Sequence, residues 1–254
     1  ADNFAGSYLA RKGFVFEQLP TTLELRRGKD KRGGFIVYAL HHGDNRTVGY
    51  QKLYDTHFVD SSGNERDKDF VFYPDRLNGS HAWLGQPPQN KNTLIRHGEG
   101  LASCLTAHLA DGVPVVICLS TTNIPHVVKS LTEQGYNTLQ AIADNDISDN
   151  GNAGVFWAIK AAQHGHCDSI IIPELNGKKC DIDDVRIALG MEAVREQLKN
   201  NTLAIPQDAR EYERLLAKYA PTSHVKGASH SLPSSSATIT PNANITALPL
   251  ALNV

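Results

Sequence analysis

Acidic side chains that could bind a metal ion occur at three separate places in the middle of the 254-residue chain. They are Glu99, the pair Asp144 and Asp146, and the group Asp181, Asp183 and Asp184. Carboxylates that share a site repel one another unless a hard divalent cation such as Mg²⁺ (or Mn²⁺) joins them. Such a site would suit phosphoryl or nucleotidyl transfer, in which divalent cations neutralise phosphate charge and activate an attacking hydroxyl.

The pattern of apolar residues after position 92 predicts that these acids follow the strands of one sheet. Strands are predicted at 93–97, 114–119, 138–143 and 169–172, and helices at 101–110, 123–134, 152–163 and 183–200, the last interrupted at Gly190. This alternation is typical of an α/β fold with a mainly parallel sheet flanked by helices. Because parallel strands end at the same edge of a sheet, we expect the acids to converge there.

The alternative interpretation is that these acids are helix caps. A side-chain oxygen just before a helix can accept hydrogen bonds from the free amides of the first turn. Glu99 precedes the helix predicted at 101–110, and Asp144 and Asp146 precede the one at 152–163. Each acid taken alone is more often a cap, whereas their number at one sheet edge favours a metal site.

The segments on either side of 93–200 have a different character. Residues 1–92 interleave apolar and polar residues between turn signals, which predicts a small β-rich subdomain with strands at 35–40, 47–54 and 69–73. A C-terminal helix is predicted within 201–220. Residues 221–254 combine serines and prolines with little periodicity, which favours a flexible low-complexity tail.

Composition excludes several classes of protein. No apolar run approaches the roughly 18 to 20 residues that a membrane-spanning helix needs, and no secretory signal is visible, so we expect a cytoplasmic protein without a membrane partner. The four cysteines form no CxxC pair, which favours reduced, buried thiols. The only methionine is Met191, so we expect the chain to be a fragment of a longer protein.

Basic residues that could bind phosphates crowd one part of the β-rich segment. They are Arg26, Arg27, Lys29, Lys31 and Arg32, with Lys52, Arg66, Lys68 and Arg76 as further candidates for nucleic-acid contact. The alternative for the run at 26–32 is a solvated turn between strands. Lys178 and Lys179 stand beside the third acidic group and could contact triphosphate oxygens.

Aromatic residues of the same segment could provide a surface on which unpaired bases stack. They are Tyr50, Phe70, Phe72, Tyr73 and Trp83, and the alternative is that they form the core of the β-rich subdomain. His97 precedes Glu99 by two residues, so it could contact a phosphate or instead pack at a strand end.

Three motifs resemble those of TOPRIM domains in DNA primases of plasmids and phages. GEGLASCL at 98–105 is similar to their glutamate motif, and ADND at 143–146, followed by NGNAG at 150–154, resembles their DxD motif. CDIDDV at 180–185 resembles the closing acidic motif, where a D-F-N-D pattern is usual. The preceding GYQKL at 49–53 and KDFVF at 68–72 are similar to the segment before TOPRIM, so the resemblance covers about residues 33–200.

The resemblance implies a metal-dependent nucleotidyltransferase that makes short RNA primers on single-stranded DNA from nucleoside triphosphates. It implies catalytic roles for Glu99, Asp144 and Asp146, and metal binding by these three with Asp181 and Asp184 of a TOPRIM domain at 93–200. A helicase or relaxase, on the same longer polypeptide or separate, is an implied partner. A TOPRIM nuclease and a non-catalytic module that binds single-stranded nucleic acid remain alternatives.

Overall fold

Two sheets that share a hydrophobic core form the framework of the fold. The computed structural model describes residues 4–43, 46–72, 78–165, 167–222 and 246–247. Arg76, Tyr73 and most of the predicted tail at 221–254 lie outside the described residues.

The first sheet is antiparallel and comes mainly from the N-terminal third of the chain. A short helix, α1 (Tyr8–Arg11), precedes strands β1 (Arg26–Asp30), β2 (Gly33–His41), β3 (Thr47–Val59) and β4 (Glu65–Phe72). The three predicted strands are confirmed as β2, β3 and β4. The interpretation of the basic run at 26–32 as a turn between strands is wrong for most of its length. Most of the run forms β1, which pairs with β2 along its whole length.

The second sheet contains six strands and lies in the middle of the chain. Its strands are β5 (Ala82–Leu84), β6 (Ile95–Gly98), β7 (Val115–Ile117), β8 (Leu139–Ile142), β11 (Cys167–Ile171) and β12 (Thr202–Ala204), and a hairpin of β9 (Ile147–Ser148) and β10 (Gly151–Asn152) follows β8. The order across the sheet is β12-β11-β8-β6-β7-β5. The four central strands are parallel and both edge strands are antiparallel to their neighbours.

Helices cover both faces of this sheet, which confirms the predicted α/β class. They are α2 (Leu101–Asp111), α3 (Ile124–Glu133), α4 (Ala153–Ala162), α5 (Ile182–Leu189), α6 (Met191–Asn200) and α7 (Ala209–Tyr219). One core is formed with α2, α5 and α6, and the other with α3, α4 and α7. The predicted break at Gly190 is confirmed, since its φ of +85° ends α5.

The two sheets are held together by the first of these cores. Ile36 and Tyr38 of β2 belong to the same buried cluster as Leu105 of α2. Residues 82–84 and 202–204 also lie in the six-stranded sheet, although they fall outside the predicted domain at 93–200. The second sheet and α2 are therefore packed against the first sheet.

The remaining predictions about the chain's general character can be compared with these elements. All four cysteines are buried and unpaired, as predicted. The last described strand, β13 (Thr246–Ala247), pairs with the outer edge of β1. Among the described residues, none of the helices has both the length and the apolar character needed to cross a bilayer.

Candidate active site

The loops that carry the predicted acids lie side by side at one edge of the six-stranded sheet. Glu99 follows β6 and Asp144 follows β8, which is its neighbour, while the loop after β11 leads to Asp181. Backbone hydrogen bonds tie these loops together: the Asn145 amide donates to the Cys180 carbonyl at 2.9 Å. The fold therefore brings three distant stretches of sequence to one place.

Four of these acids interact through their charges at this edge of the sheet. We call Glu99, Asp144, Asp146 and Asp181 the carboxylate cluster. Burial, followed by the charges of Glu99, Asp181 and Asp146, raises the pKa of Asp144 to about 8. Burial also raises the pKa of Glu99, and Asp146 and Asp181 add to that effect. The cluster concentrates negative charge that a cation would stabilise.

The interpretation of Glu99, Asp144 and Asp146 as helix caps is wrong. Helix α2 begins after Gly100 without any side-chain cap, and the cap of α4 is Asn152, whose side chain accepts from the Val155 amide. The acids are thus free of the structural role that was their main alternative.

The third acidic motif divides into residues with different surroundings. Asp181 caps α5 and accepts from the Asp184 amide at 2.8 Å, while Asp184 accepts from the Asp181 amide at 3.0 Å. Asp183 is fully buried and accepts from Thr106 at 2.7 Å and from Arg186 at 2.8 Å. Of the three, Asp181 is the one whose charge raises the pKa values of both Glu99 and Asp144.

Two lysines supply the positive charge nearest to the cluster. Lys179 Nζ lies 2.7 Å from Asp146 Oδ1, with 70% of its side chain exposed. Lys68 of β4 lowers the pKa values of Glu99 and Asp144. Its Nζ lies 3.9 Å from the position that a Cβ on Gly100 would occupy. Lys178 is exposed next to Lys179.

The cluster fits Mg²⁺ or Mn²⁺ in the chemistry and charge of its donors, because hard divalent cations prefer carboxylate oxygens. Among the described residues, however, no three His, Cys, Asp or Glu side chains are arranged closely enough to hold a metal ion. Enclosing an ion would therefore need small side-chain movements, including release of Asp146 from Lys179.

A pair of buried asparagines fixes the loop between Asp144 and Asp146. Asn152 Oδ1 accepts from the amides of Asp146 at 3.1 Å and Val155 at 3.2 Å. Its Nδ2 donates to Asn145 Oδ1 at 2.8 Å, and Asn145 Nδ2 donates to the Pro173 carbonyl at 2.8 Å. The motif NGNAG contained the signal for this role, since an asparagine before a helix is a preferred cap.

The hairpin that carries Asn152 also contacts the end of α7. The Thr222 amide donates to the Asn150 carbonyl at 2.9 Å, and the two side chains are 3.0 Å apart. The Ala220 carbonyl lies only 2.5 Å from the position that a Cβ on Gly151 would occupy. The acidic loop is therefore braced from the C-terminal side.

Asn152→Ala is expected to weaken Mn²⁺ binding about 10- to 100-fold, the usual cost of losing a residue that orients metal ligands. The amide of Asp146 would lose its acceptor, so its carboxylate would no longer be held towards the cluster. Calorimetric titration with Mn²⁺ measures the change. Asn123→Ala is the matched control, because Asn123 is equally buried and bridges Ser80 and Cys118 with hydrogen bonds of 2.9 and 2.8 Å. Equal Mn²⁺ affinity in the two variants would contradict the expected role.

The predicted nucleic-acid contacts are partly engaged with acids in this structure. Arg27 binds Asp55 through two hydrogen bonds of 2.6 and 2.9 Å, and Lys52 lies 2.9 Å from Asp30. Arg32 pairs with Asp69 and Arg66 with Asp60. Arg26, Lys29 and Lys31 are exposed along β1 and its turn.

His97 does not line the cluster. It is fully buried, facing between Val116 and Ala141 of the neighbouring strands, and burial lowers its pKa to about 4. Neither ring nitrogen has a hydrogen-bond partner among the described residues. The packing interpretation is therefore the correct one, and contact with a phosphate is wrong for this conformation.

Comparisons with known proteins identify solved structures that have a similar fold. No family model matches the sequence. The primase fragment of the bacteriophage T7 primase-helicase protein aligns with a TM-score of 0.54 and 16% identity, over 76% of this chain and 74% of that one. In a second T7 structure, the lagging-strand DNA polymerase interacts with gp4 primase domains bound to an RNA/DNA hybrid and dTTP. A chain of that structure aligns with a TM-score of 0.52 and 16% identity, over 77% of this chain and 91% of that one. The DnaG catalytic core aligns with a TM-score of 0.51 and 12% identity, over 86% of this chain and 85% of that one. The chain therefore has the fold of DNA primase catalytic domains.

Proposed function

We propose that this protein is a TOPRIM-type primase of a plasmid or phage that joins ribonucleotides into short primers on single-stranded DNA. The observation that carries this proposal is the carboxylate cluster at the carboxyl edge of a parallel sheet, within a primase-like fold. Ligand sites in such sheets lie at this edge. A bound Mg²⁺ would neutralise triphosphate charge and lower the pKa of the attacking hydroxyl.

The residues of the cluster have distinct roles in this proposal. Asp144 and Asp146 would hold the cation, with Asp181 and Asp184 as further candidate ligands. Glu99 would contribute to the same site, and its raised pKa suits a group that accepts the proton of the primer 3′-hydroxyl. The hydroxyl attacks the α-phosphate of the incoming nucleotide, and pyrophosphate leaves.

The lysines and arginines are proposed to bind the phosphate groups of the nucleotide and the template. Lys179, which pairs with Asp146, and Lys178 are both exposed, and they are the proposed contacts to triphosphate oxygens. Arg26, Arg27, Lys29, Lys31, Arg32 and Lys52 are the proposed contacts to template phosphates. Release of a basic side chain from its acidic partner would accompany such contacts for Arg27 and Lys52.

Lys68→Gln is expected to shift the acid limb of the pH–rate profile to higher pH. Lys68 lowers the pKa values of Glu99 and Asp144, so removing its charge raises both and leaves less carboxylate at a given pH. Initial rates measured between pH 6 and about 9 in this variant and in Lys12→Gln, which changes an N-terminal lysine, give the comparison. A limb that moves to lower pH would contradict the placement of Lys68.

The activity itself is tested by incubating the protein with single-stranded DNA, labelled nucleoside triphosphates and Mg²⁺. Short labelled RNA that disappears with EDTA is expected. Synthesis that persists without a divalent cation would refute the proposal. Degradation of labelled DNA or RNA in the absence of triphosphates would instead assign a nuclease.

A helicase or relaxase is the proposed partner. The T7 fragment that this chain resembles belongs to a primase-helicase protein. Stimulation of priming by a helicase or relaxase from the same replicating element is the corresponding measurement.

A further inference from the structure

A groove on the first sheet lies apart from the carboxylate cluster. It has a volume of about 630 Å³ and lies between residues 21–26, strands β2 and β3, and residues 82–87. Its walls include Arg26, Tyr50, Trp83 and Gln86. Pockets for small ligands usually have volumes of roughly 300 to 1,000 Å³. We call it the Tyr50 groove.

The Tyr50 groove lies on the opposite face of the sheet from the carboxylate cluster. Tyr50 pairs with Ala39 of β2 and Val71 of β4, whereas Lys68 pairs with Leu53. Because successive residues of a strand point to opposite faces, Tyr50 and Leu53 face away from each other. Leu53 is in the shared core, so Lys68 approaches the cluster from the inner face and Tyr50 lines the outer one.

The lining combines aromatic surface with one accessible cation. Tyr50 is 37% exposed, which is uncommon among the large apolar side chains of this sheet, and Trp83 is 9% exposed. Arg26 is 53% exposed and lies 3.9 Å from Glu24, which is itself 77% exposed. A contact so open to water holds Arg26 only weakly. Aromatic rings and an accessible guanidinium are the groups that hold unpaired nucleotides.

We propose that the Tyr50 groove binds an unpaired base of single-stranded DNA, with the base stacked on Tyr50 and Arg26 at the adjoining phosphate. Single-stranded DNA carries one negative charge per nucleotide, which the charge of one arginine can neutralise. A free nucleoside triphosphate carries several negative charges, and the carboxylate of Glu24 would repel them. The identity of the strand rests on the proposed function, but the groove is separate from the cluster and needs no metal.

Binding is best measured through Trp83 itself. The chain has two tryptophans, so Trp157→Phe leaves Trp83 as the only indole reporter. Titration of this variant with oligodeoxythymidylate in EDTA should quench its emission. Adding Tyr50→Ile, which keeps a residue of high β propensity on the strand, should weaken the affinity about 5- to 150-fold, the value of stacking one base on a ring. Adding Tyr50→Phe keeps the ring and should change the affinity less than about twofold.

The contribution of Arg26 has its own signature. Arg26→Gln should make the slope of log K against log salt less negative by about 0.7, the change expected for one lost phosphate contact on a single strand. Thermal unfolding of every variant confirms that it is folded.

Two results would overturn the proposal: unchanged affinity in Tyr50→Ile, or tighter binding of free dTTP than of the oligonucleotide. Binding without priming would refute the proposed function and leave the groove intact. Priming with normal binding by Tyr50→Ile would refute only the groove.

Discussion

Asp144→Asn is expected to abolish primer synthesis and at the same time to stabilise the metal-free protein. Its carboxylate is the most strongly perturbed of the cluster, with a pKa raised to about 8 by burial and by Glu99, Asp181 and Asp146. A metal ion at such a site contributes several kcal/mol of transition-state stabilisation, and each 1.36 kcal/mol is tenfold in rate. The rate of synthesis should therefore fall about 10³-fold or more.

The stability of the metal-free protein should depend on pH in a direction set by the same residue. A raised pKa means that the folded state holds a proton that the unfolded state, with its ordinary pKa near 4, releases. The free energy of unfolding should thus fall as pH rises from about 4 to 8 and level off above that range. Asp144→Asn removes this fall and should raise the Tm at pH 8, by about 2 to 4 °C for each 1 kcal/mol of stability gained in a chain of this size.

Thermal unfolding in EDTA across this pH range measures the effect. Asp168→Asn is the control, because Asp168 is exposed at the opposite end of β11. If Asp144→Asn unfolds at a lower temperature than the native protein at pH 8, the carboxylate is not under repulsion and the site has been assigned incorrectly.

Gly154→Ala is expected to damage both stability and activity, although it changes one hydrogen to a methyl group. A Cβ at this position would lie 2.1 Å from the carbonyl oxygen of Asp144 and 2.9 Å from its carbonyl carbon. Both atoms are backbone, so either α4 or the acidic loop must move. Overpacking of this kind costs about 1 to 3 kcal/mol of folding free energy. A shift of about 1 Å at Asp144 would lower the rate about 10²-fold.

Urea unfolding and the priming assay together test the Gly154 prediction. Gly100→Ala is the control for stability, since within the described part of the chain its added Cβ would approach just Lys68 Nζ at 3.9 Å, the end of a flexible side chain. Native stability and native activity in Gly154→Ala would show that the close approach of α4 to Asp144 does not matter.

The acidic residues could be predicted from the sequence because they follow apolar strands, and parallel strands end at one edge. Their packing could not be predicted in the same way. Asp181 and Asp183 are two residues apart, yet one caps a helix at the cluster and the other is buried against Thr106 and Arg186. Their difference depends on α2 and α5 packing together, which is a contact between segments about 80 residues apart.

The basic segment shows a similar limit. The sequence predicts exposed basic residues that bind phosphates. The cross-strand register of β1, β2 and β3, however, pairs Arg27 with Asp55 and Lys52 with Asp30. Register is decided by which residues of each strand face the core. A short stretch of sequence therefore does not predict which acids on other strands will pair with its basic residues. Tyr50 and Trp83 could be predicted as candidate stacking residues, but their position in one groove could not, because they belong to different sheets.

The contact of Thr222 with Asn150 ties the segment after α7 to the hairpin beside the acidic loop. Asn152 of the same hairpin accepts from the amide of Asp146. A change at the end of α7 would therefore reach Asp146 through two hydrogen-bonded steps.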